Sequence, residues 1–326
     1  MSAAGSSTAT RQPSDGSGRP AVTRRPALPW LAYAALASSM ALVGSYVGLS
    51  KLLVAVFPVF LLAWLRFGIA ALAMLPWLRR TPGEPPLSAA DRRLLFWESF
   101  IGNFGFSICM LFGVAATSAL AAGVVMAALP AAVALLARLM LGERIRPRVW
   151  GAIVLAGAGI ALMAWQRDTE GARAGPWWGY ALLLGAVFCE ATYVVIGKRL
   201  TAQVSPRRIS ALINLWGLAL MTPLGLWQAW DYGFGEVGAG LWGLLVFYAL
   251  AASMVSVWLW MKGLARVPAS QAGVFAIWLP LGAAAIGVLW LGEAFGAGHA
   301  LALALALGGL LLAVWPPARP AAEIPH

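Results

Sequence analysis

The chain has 326 residues, of which 61% are apolar and only 11% are charged. An ordinary soluble domain carries about 25% charged residues, so this composition excludes a soluble globular protein. The net charge of +11 indicates a nucleic-acid partner only if the basic residues cluster on one surface, and their distribution decides this below.

Residues 1–27 come first and consist mainly of Ser, Thr, Gly, Pro and Arg. They cannot bury enough apolar surface to fold, so we predict a disordered tail. The tail also lacks the apolar core of a secretory signal. The first apolar run starts at Leu28 and is long enough to span a bilayer.

Apolar runs of about 20 residues then recur along almost the whole chain. We predict an all-α integral membrane protein with ten membrane helices. In chain order they cover residues 28–49, 56–78, 94–116, 119–141, 149–166, 177–197, 209–230, 241–261, 269–291 and 297–315. The connections are short, so consecutive helices are expected to be antiparallel neighbours. Ser88 and Asp91 resemble a capping box before the third helix.

The distribution of basic residues predicts the orientation. If the N-terminus is cytoplasmic, 18 of the 23 Lys and Arg residues fall on the cytoplasmic side and only Lys51, Arg167 and Arg173 on the other. Because positive residues accumulate in cytoplasmic loops, we predict that both termini are cytoplasmic. The basic excess then faces an anionic lipid leaflet, and no nucleic-acid partner is needed to explain it.

The tripeptide Leu-Gly-Glu occurs twice, ending at Glu143 and at Glu293. Other residues repeat at the same offset of 150, including Leu129-Pro130 with Leu279-Pro280. Five helices separate corresponding positions, and since five is odd, the two copies should lie on opposite membrane faces. We therefore predict two inverted five-helix repeats, at residues 28–166 and 177–316.

Three strings carry a family resemblance: LAWLRFGIAALAMLP, AAGVVMAALPAAVALLARLMLGE and SQAGVFAIWLPLGAAAIGVLWLGE. The chain resembles the EamA-like branch of the drug/metabolite transporter superfamily. The resemblance implies a pseudo-twofold bundle with a central cavity, and secondary transport by alternating access. It also implies export of a small metabolite such as an amino acid or an amine, without naming the solute.

Pro130 and Pro280 are expected near the middle of their spans, at matching places in the two halves. Each removes a helix hydrogen bond and frees a carbonyl four residues earlier. Matched interruptions point to a central binding site, although both prolines could also merely bend their helices for packing.

Arg66 is predicted in the middle of the second helix, where a cation costs at least about 2.5–3.5 kcal/mol on insertion scales. It should face the interior and be paired. It could bind a substrate carboxylate, or pair with Glu190 or a carbonyl as a strut; the family resemblance favours a structural or gating role. Asn214 falls opposite Arg66 in the second half.

Glu190 is predicted about 12 Å inside the cytoplasmic end of the sixth helix. Burial favours the protonated form of a carboxyl, so Glu190 could couple transport to protons. It could also bind a cationic substrate or neutralise Arg66. The matching residue in the first half is apolar, so the repeat itself does not require this acid.

The remaining candidates are weaker. Glu98 and Arg138 could pair, but separate solvated helix ends are the simpler interpretation. Glu143 and Glu293 are expected to cap the next helix or hold the turn, and secondarily to gate. The aromatic residues that could line a cavity are Trp64, Tyr193, Trp216, Trp258 and Trp278.

An intramembrane enzyme and a non-transporting scaffold or receptor are the rival functions. No catalytic motif, metal site or cofactor site is found in context, and no nucleotide-binding loop, so we expect neither enzymatic activity nor a cofactor. The expected partners are a small-molecule solute, the lipid of the inner (plasma) membrane and protons as coupling ion. A homodimer is left open.

Overall fold

The computed structural model describes residues 29–80, 82–141, 147–169, 176–200, 204–264 and 273–314, and their regular structure is entirely helical. Each of the ten predicted segments overlaps one helix or a consecutive series of helices. The predicted tail at residues 1–27 and the turn that contains Glu143 lie outside the described residues.

The first half contains seven α-helices: α1 (Pro29–Val54), α2 (Val59–Ala73), α3 (Ala89–Trp97), α4 (Phe106–Ala116), α5 (Ala119–Met126), α6 (Leu129–Leu141) and α7 (Pro147–Thr169). The second half contains α8 (Trp177–Leu200), α9 (Pro206–Ala229), α10 (Ala239–Leu250), α11 (Ser256–Leu264), α12 (Trp278–Leu289) and α13 (Ala297–Val314). Two π-helical segments, Glu98–Gly105 and Ala251–Val255, join α3 to α4 and α10 to α11. A short 3₁₀ helix, Gly273–Ile277, precedes α12.

Seven helical stretches of the described part are long and apolar enough to cross a membrane. Two more apolar helices, Val59–Ala73 and Phe275–Leu289, are shorter. The helix α8 is 24 residues long. The helix predicted over 56–78 is shortened because Pro76 has no N–H to donate, and Leu75–Leu78 form a 3₁₀ turn instead. Other predicted ends also differ from the structure, as in α1, which ends at Val54 rather than at residue 49.

The third helix starts earlier than the predicted residue 94. The Ser88 side chain accepts from the backbone N–H of Asp91 at 3.0 Å, and the Asp91 carboxylate accepts from the Ser88 N–H at 3.0 Å. This is the predicted capping box, and it fixes the start of α3 at Ala89. The continuous helical stretch therefore runs from Ala89 to Ala116, 28 residues.

The fourth and ninth predicted helices are interrupted. Between α5 and α6 the backbone forms a turn at Ala127 and Ala128, where the Ala128 N–H bonds to Val125 rather than to the residue four back. In the second half the 3₁₀ segment ends at Ile277 and α12 begins two residues before Pro280. The sequence prediction of an interruption beside Pro130 and Pro280 thus matches the backbone at both places.

Helices of one half pack against helices of the other half. The second helix α2 packs on its counterpart α9, and α7 packs on its counterpart α13. The first span of each half packs on the third span of the other half, because α1 packs on α11 and α8 packs on α4. An arrangement of this kind is expected when a twofold axis relates two repeats.

Close helix contacts depend on glycine at a few positions. A Cβ on Gly44 in α1 would collide with the Leu279 carbonyl and with Gly282 of α12. A Cβ on Gly123 in α5 would lie 3.1 Å from the Pro280 carbonyl. The interrupted helix pair α5 and α12 therefore meets at backbone contact distance, and α1 packs on the same helix.

Candidate functional site

Six polar or aromatic residues form a buried group that joins the two halves of the bundle. We call it the central polar cluster: Tyr46 and Ser50 of α1, Arg66 of α2, Ser107 of α4, Tyr248 of α10 and Ser253 of the second π-helical segment. Buried polar side chains normally find hydrogen-bond partners, and most members of the cluster do so with each other.

Arg66 lies at the centre of this cluster and is 5% exposed. One terminal nitrogen donates to the Ser107 hydroxyl at 2.6 Å and the other to the Ser253 hydroxyl at 3.2 Å. The guanidinium carbon lies 4.1 Å from the centre of the Phe67 ring and 5.6 Å from that of Tyr46. Its Nε has no hydrogen-bond partner among the described residues. The arginine is thus held by neutral groups from both halves.

Two tyrosines stack beside the arginine. The rings of Tyr46 and Tyr248 are 4.7 Å apart, and the Tyr248 hydroxyl is 3.0 Å from the Ser50 hydroxyl. The Tyr46 hydroxyl is buried and lies close to that of Tyr248, but no atom of the described residues meets it in hydrogen-bond geometry. The cluster therefore has two polar groups that are not fully satisfied, Arg66 Nε and Tyr46 OH.

The predicted alternative of an Arg66–Glu190 ion pair does not occur in the described part of the chain, where the recorded ion pair joins Arg208 to Glu84 at 2.8 Å. Glu190 instead interacts electrostatically with Glu98, and Tyr193 with both. We call these three residues the carboxyl cluster. The ionisable side chains near Glu190 therefore include a second acid, Glu98, which the sequence did not lead us to expect there.

Glu98 is 0% exposed, and neither carboxyl oxygen has a hydrogen-bond partner in the described residues. The interpretation of Glu98 as a solvated helix end is therefore wrong, whereas Arg138 is exposed as that interpretation expected. Glu98 begins the first π-helical segment, and a Cβ on Gly102 of that segment would lie 2.6 Å from Tyr193. Segments of π-helix occur frequently at functional sites.

The other predicted site residues take different positions. Asn214 is buried and donates to the Ser210 carbonyl at 2.9 Å, while its side-chain oxygen has no partner among the described residues. Pro280 is buried and Pro130 partly buried beside the helix interruptions.

The tryptophans are mostly separate from the two clusters. Trp64 donates to the Thr222 hydroxyl at 3.1 Å and so fastens α2 to α9. Trp278 is 45% exposed, and Trp216 and Trp258 are exposed to a similar degree. A role for Trp278 in binding stays a prediction.

Glu293 caps a helix, but not the next one in the chain. Its carboxylate oxygens accept from the backbone N–H groups of Ala119 at 2.7 Å and Leu120 at 2.8 Å, the first residues of α5. An anion at a helix N-terminus is favoured by the helix dipole. Glu293 therefore ties the second half to the interrupted helix of the first.

Lys51 completes the same junction from the other side of the turn. Its ammonium donates to the carbonyls of Val114 and Ala115, both at 3.0 Å, and of Thr117 at 2.6 Å, at the C-terminus of α4. The Glu293 carboxylate also attracts it electrostatically. We call Lys51, Glu293 and the turn between α4 and α5 the crossed cap. Sequence reasoning counted Lys51 only as a loop charge and missed this role.

The sequence profile of the EamA-like transporter family matches the chain twice, at residues 30–165 and 177–315. The chain belongs to the EamA-like transporter family. The two matches correspond to the two halves of the bundle, whose helices pack against each other.

Known relatives agree with this membership. The chain is 33% identical over 298 residues to "Uncharacterized transporter YetK" of Bacillus subtilis (strain 168), which covers 90% of each protein. It is 34% identical over 188 residues to "Uncharacterized transporter YwfM" of the same organism, 57% of this chain and 62% of that one. A solved crystal structure superposes with a TM-score of 0.61 at 21% identity, covering 86% of this chain and 96% of the other, and shows a shared fold.

This EamA-like protein is therefore a multi-pass integral membrane protein of the kind found in the plasma membrane. As a member of a transporter family, it has membrane lipid and a small-molecule solute as its partners.

Proposed function

We propose that the protein is a secondary active transporter that exports a small metabolite by alternating access. The central polar cluster carries the proposal, because Arg66 of the first half and Ser253 of the second are hydrogen-bonded in the protein interior. A buried charge in a membrane bundle is expensive and marks a substrate or ion pathway. A site built from both repeats is also well placed to be exposed alternately as the repeats move against each other.

The proposed topology has ten membrane-spanning helices, inverted repeats and both termini in the cytoplasm. The distribution of 18 basic residues on one side against three on the other supports it. In this orientation the crossed cap lies at the outer face and α3 begins at the cytoplasmic face. The direction of transport, outward, follows from the resemblance to exporters.

The carboxyl cluster is the proposed coupling site. Burial disfavours the ionised form of a carboxyl, and two neighbouring carboxyls disfavour it further. Glu98 and Glu190 can therefore take up and release protons as access to the cluster changes. The solute site and the coupling site would then be adjacent parts of one bundle, because Ser107 and Glu98 belong to the same continuous helical stretch.

Flux through the purified protein tests the proposal. Intracellular and extracellular metabolites are first compared between a strain that overexpresses the protein and one with the empty vector. Solutes enriched outside are then loaded into proteoliposomes, and their movement is followed with and without an imposed pH gradient. We expect saturable flux that the gradient accelerates.

Two outcomes would contradict the proposal. Solute that is chemically converted, with no movement across the bilayer, would indicate an intramembrane enzyme. No flux for any enriched solute, with correctly inserted protein, would indicate a scaffold or a receptor. Vesicles with the Glu236→Gln variant serve as a control for surface charge, because Glu236 is exposed in the turn before α10.

A further inference from the structure

We propose that Arg66 binds the carboxylate of the transported solute, and that the solute is a carboxylate with an apolar or aromatic body. The inference rests on the proposed transport function and names the substrate class of its central site. Three observations carry it: the charge of Arg66, the two incompletely satisfied polar groups beside it, and the aromatic rings around it.

The first observation is a buried cation without a described counter-charge. Arg66 is 5% exposed, and its hydrogen-bond acceptors among the described residues are the neutral hydroxyls of Ser107 and Ser253. The ring faces of Phe67 and Tyr46 offer only a partial negative charge. Buried charges in proteins are usually paired, so a group that supplies a full negative charge is the expected complement.

The second observation is the geometry of the unused donors. The Ser107 hydroxyl donates to the Asn103 carbonyl and therefore receives the hydrogen bond from Arg66, which fixes one end of the guanidinium. Ser253 fixes the other end at 3.2 Å. The Nε edge is left buried without a described partner, as is the Tyr46 hydroxyl. A carboxylate is the acceptor group that matches a guanidinium edge, and a second oxygen can accept from a nearby hydroxyl.

The third observation is the apolar and aromatic surroundings. Phe67 and Tyr46 present ring faces to the guanidinium, and Tyr248 stacks on Tyr46. No further described acid or base bonds to the cluster. Such surroundings fit a solute with an apolar body. A second charged group on the solute would find no oppositely charged residue there in the described part of the chain. A site that joined Arg66 to the acids Glu98 and Glu190 would instead fit a zwitterion, but those acids lie in the separate carboxyl cluster.

A structural strut is the competing explanation, and the two make opposite predictions for one variant. If Arg66 only holds helices together, Arg66→Met should lower the melting temperature of the free protein. If Arg66 has no counter-charge until a solute anion binds, Arg66→Met removes an uncompensated buried charge. The melting temperature of the free protein should then stay equal or rise. The variant therefore separates the two roles without any transport measurement.

The experiment measures thermal unfolding of the full-length protein in lipid nanodiscs, with benzoate as the probe and benzamide as its neutral isostere. We expect benzoate to raise the melting temperature of the wild type in a saturable way and benzamide to leave it unchanged. Arg66→Met should lose the response, and Arg138→Met, which removes an exposed arginine, should retain it. Tyr46→Phe keeps the ring and should weaken the apparent benzoate affinity by about 10-fold, since one hydrogen bond to a charged acceptor is lost.

An equal response to benzoate and benzamide, or a benzoate response that survives Arg66→Met, would overturn the inference. If Arg66→Met does not fold, that result supports the structural strut, and the benzoate affinity of Tyr46→Phe becomes the deciding measurement. An unchanged benzoate affinity in Tyr46→Phe would refute the carboxylate subsite. Wild-type vesicles that transport only neutral or cationic solutes, uninhibited by benzoate, would refute the carboxylate subsite and leave transport intact. Arg66-dependent benzoate binding in a protein without flux would support the carboxylate subsite and refute transport.

Discussion

The burial of Glu98 beside Glu190 shows that the residue at which a helix begins decides whether a nearby side chain is solvated or buried. The third helix was predicted to begin at residue 94, but the capping box starts it at Ala89. Five residues correspond to about 7.5 Å along a helix axis, which moves Glu98 from a solvated end into the interior. The same shift brings it within electrostatic reach of Glu190 on α8.

We predict that the carboxyl pair is required for coupling and not for folding. The variants Glu98→Gln and Glu190→Gln each fix one neutral form, so each should weaken proton-driven accumulation, and the double variant should reduce it to the level of protein-free vesicles. Solute exchange without a pH gradient should persist in all three, because exchange requires no proton release. Accumulation and exchange are measured in proteoliposomes between pH 5.5 and 8.

The groups near the pair define the controls. Tyr193 interacts electrostatically with both acids. The thiols of Cys109 and Cys189 lie close enough to each other to hydrogen-bond, and Glu190 is near Cys189. Because Tyr193 belongs to the carboxyl cluster, Tyr193→Phe should shift the pH profile of flux. Glu236→Gln is the control that should keep it, because Glu236 is exposed in the turn before α10 and lies outside the cluster. A normal profile in the double glutamine variant would remove the carboxyl cluster from the mechanism.

At the scale of residues, the depth of a side chain near the middle of a span was predictable, whereas the burial of Glu98 near a helix end and the partners of the buried groups were not. The depth of Arg66 and Glu190 follows from hydropathy alone. The partners of Arg66, by contrast, lie 41 and 187 residues away in the sequence, and both are serines, which are too common to be recognised. Lys51 was missed for the same reason, since only the fold shows that three carbonyls converge on it.

At the scale of elements, the interruptions at Ala127–Ala128 and before α12 give the prolines a physical role. Proline inside a continuous helix costs about 3 kcal/mol, so the backbone beside Pro130 and Pro280 is already arranged to avoid that penalty. Gly123 and Pro280 also bring the two interrupted helices into backbone contact.

Replacing Pro130 or Pro280 with Ala should favour a continuous helix by up to about 3 kcal/mol and reduce transport more than membrane insertion. Insertion is measured by membrane yield and flux in vesicles of equal protein content. Pro223→Ala is the matched control, because Pro223 lies within α9 and outside both interruptions. Wild-type flux in the Pro130 and Pro280 variants would leave these prolines as packing features.

The two π-helical segments could not be foreseen from the sequence. Each lies in the third membrane span of its half, between α3 and α4 or between α10 and α11. Both contribute to the polar groups of the interior, through Asn103 and Ser253. Hydropathy gives the length of an apolar helix but not a local change in its hydrogen-bond pattern, which depends on the packing around it.

At the scale of the whole molecule, the repeat in the sequence was sufficient to predict two equivalent halves. Loop charges predicted a topology that labelling can test. The interchanged packing of α1 on α11 and α8 on α4 required coordinates, because nothing in an apolar helix surface specifies its neighbour uniquely.

Labelling of single cysteines tests the topology. In a background without Cys109 and Cys189, a cysteine at position 143 should react with a membrane-impermeant maleimide only after the membrane is permeabilised. A cysteine at position 293 should react in intact cells, because residue 293 is only partly buried. Reaction of both positions on the same face would contradict the inverted repeat.

The crossed cap has a consequence for the kinetics of a transport cycle. Any movement that separates α12 from α5 at this end must release the Ala119 and Leu120 amides from Glu293, and it weakens the attraction between Glu293 and Lys51. Two charge-assisted hydrogen bonds then break together, and bonds of this kind are stronger than those between neutral groups. Opening of this face should therefore be the slow and most temperature-dependent step of turnover, and an empty protein should spend most of its time with this face shut.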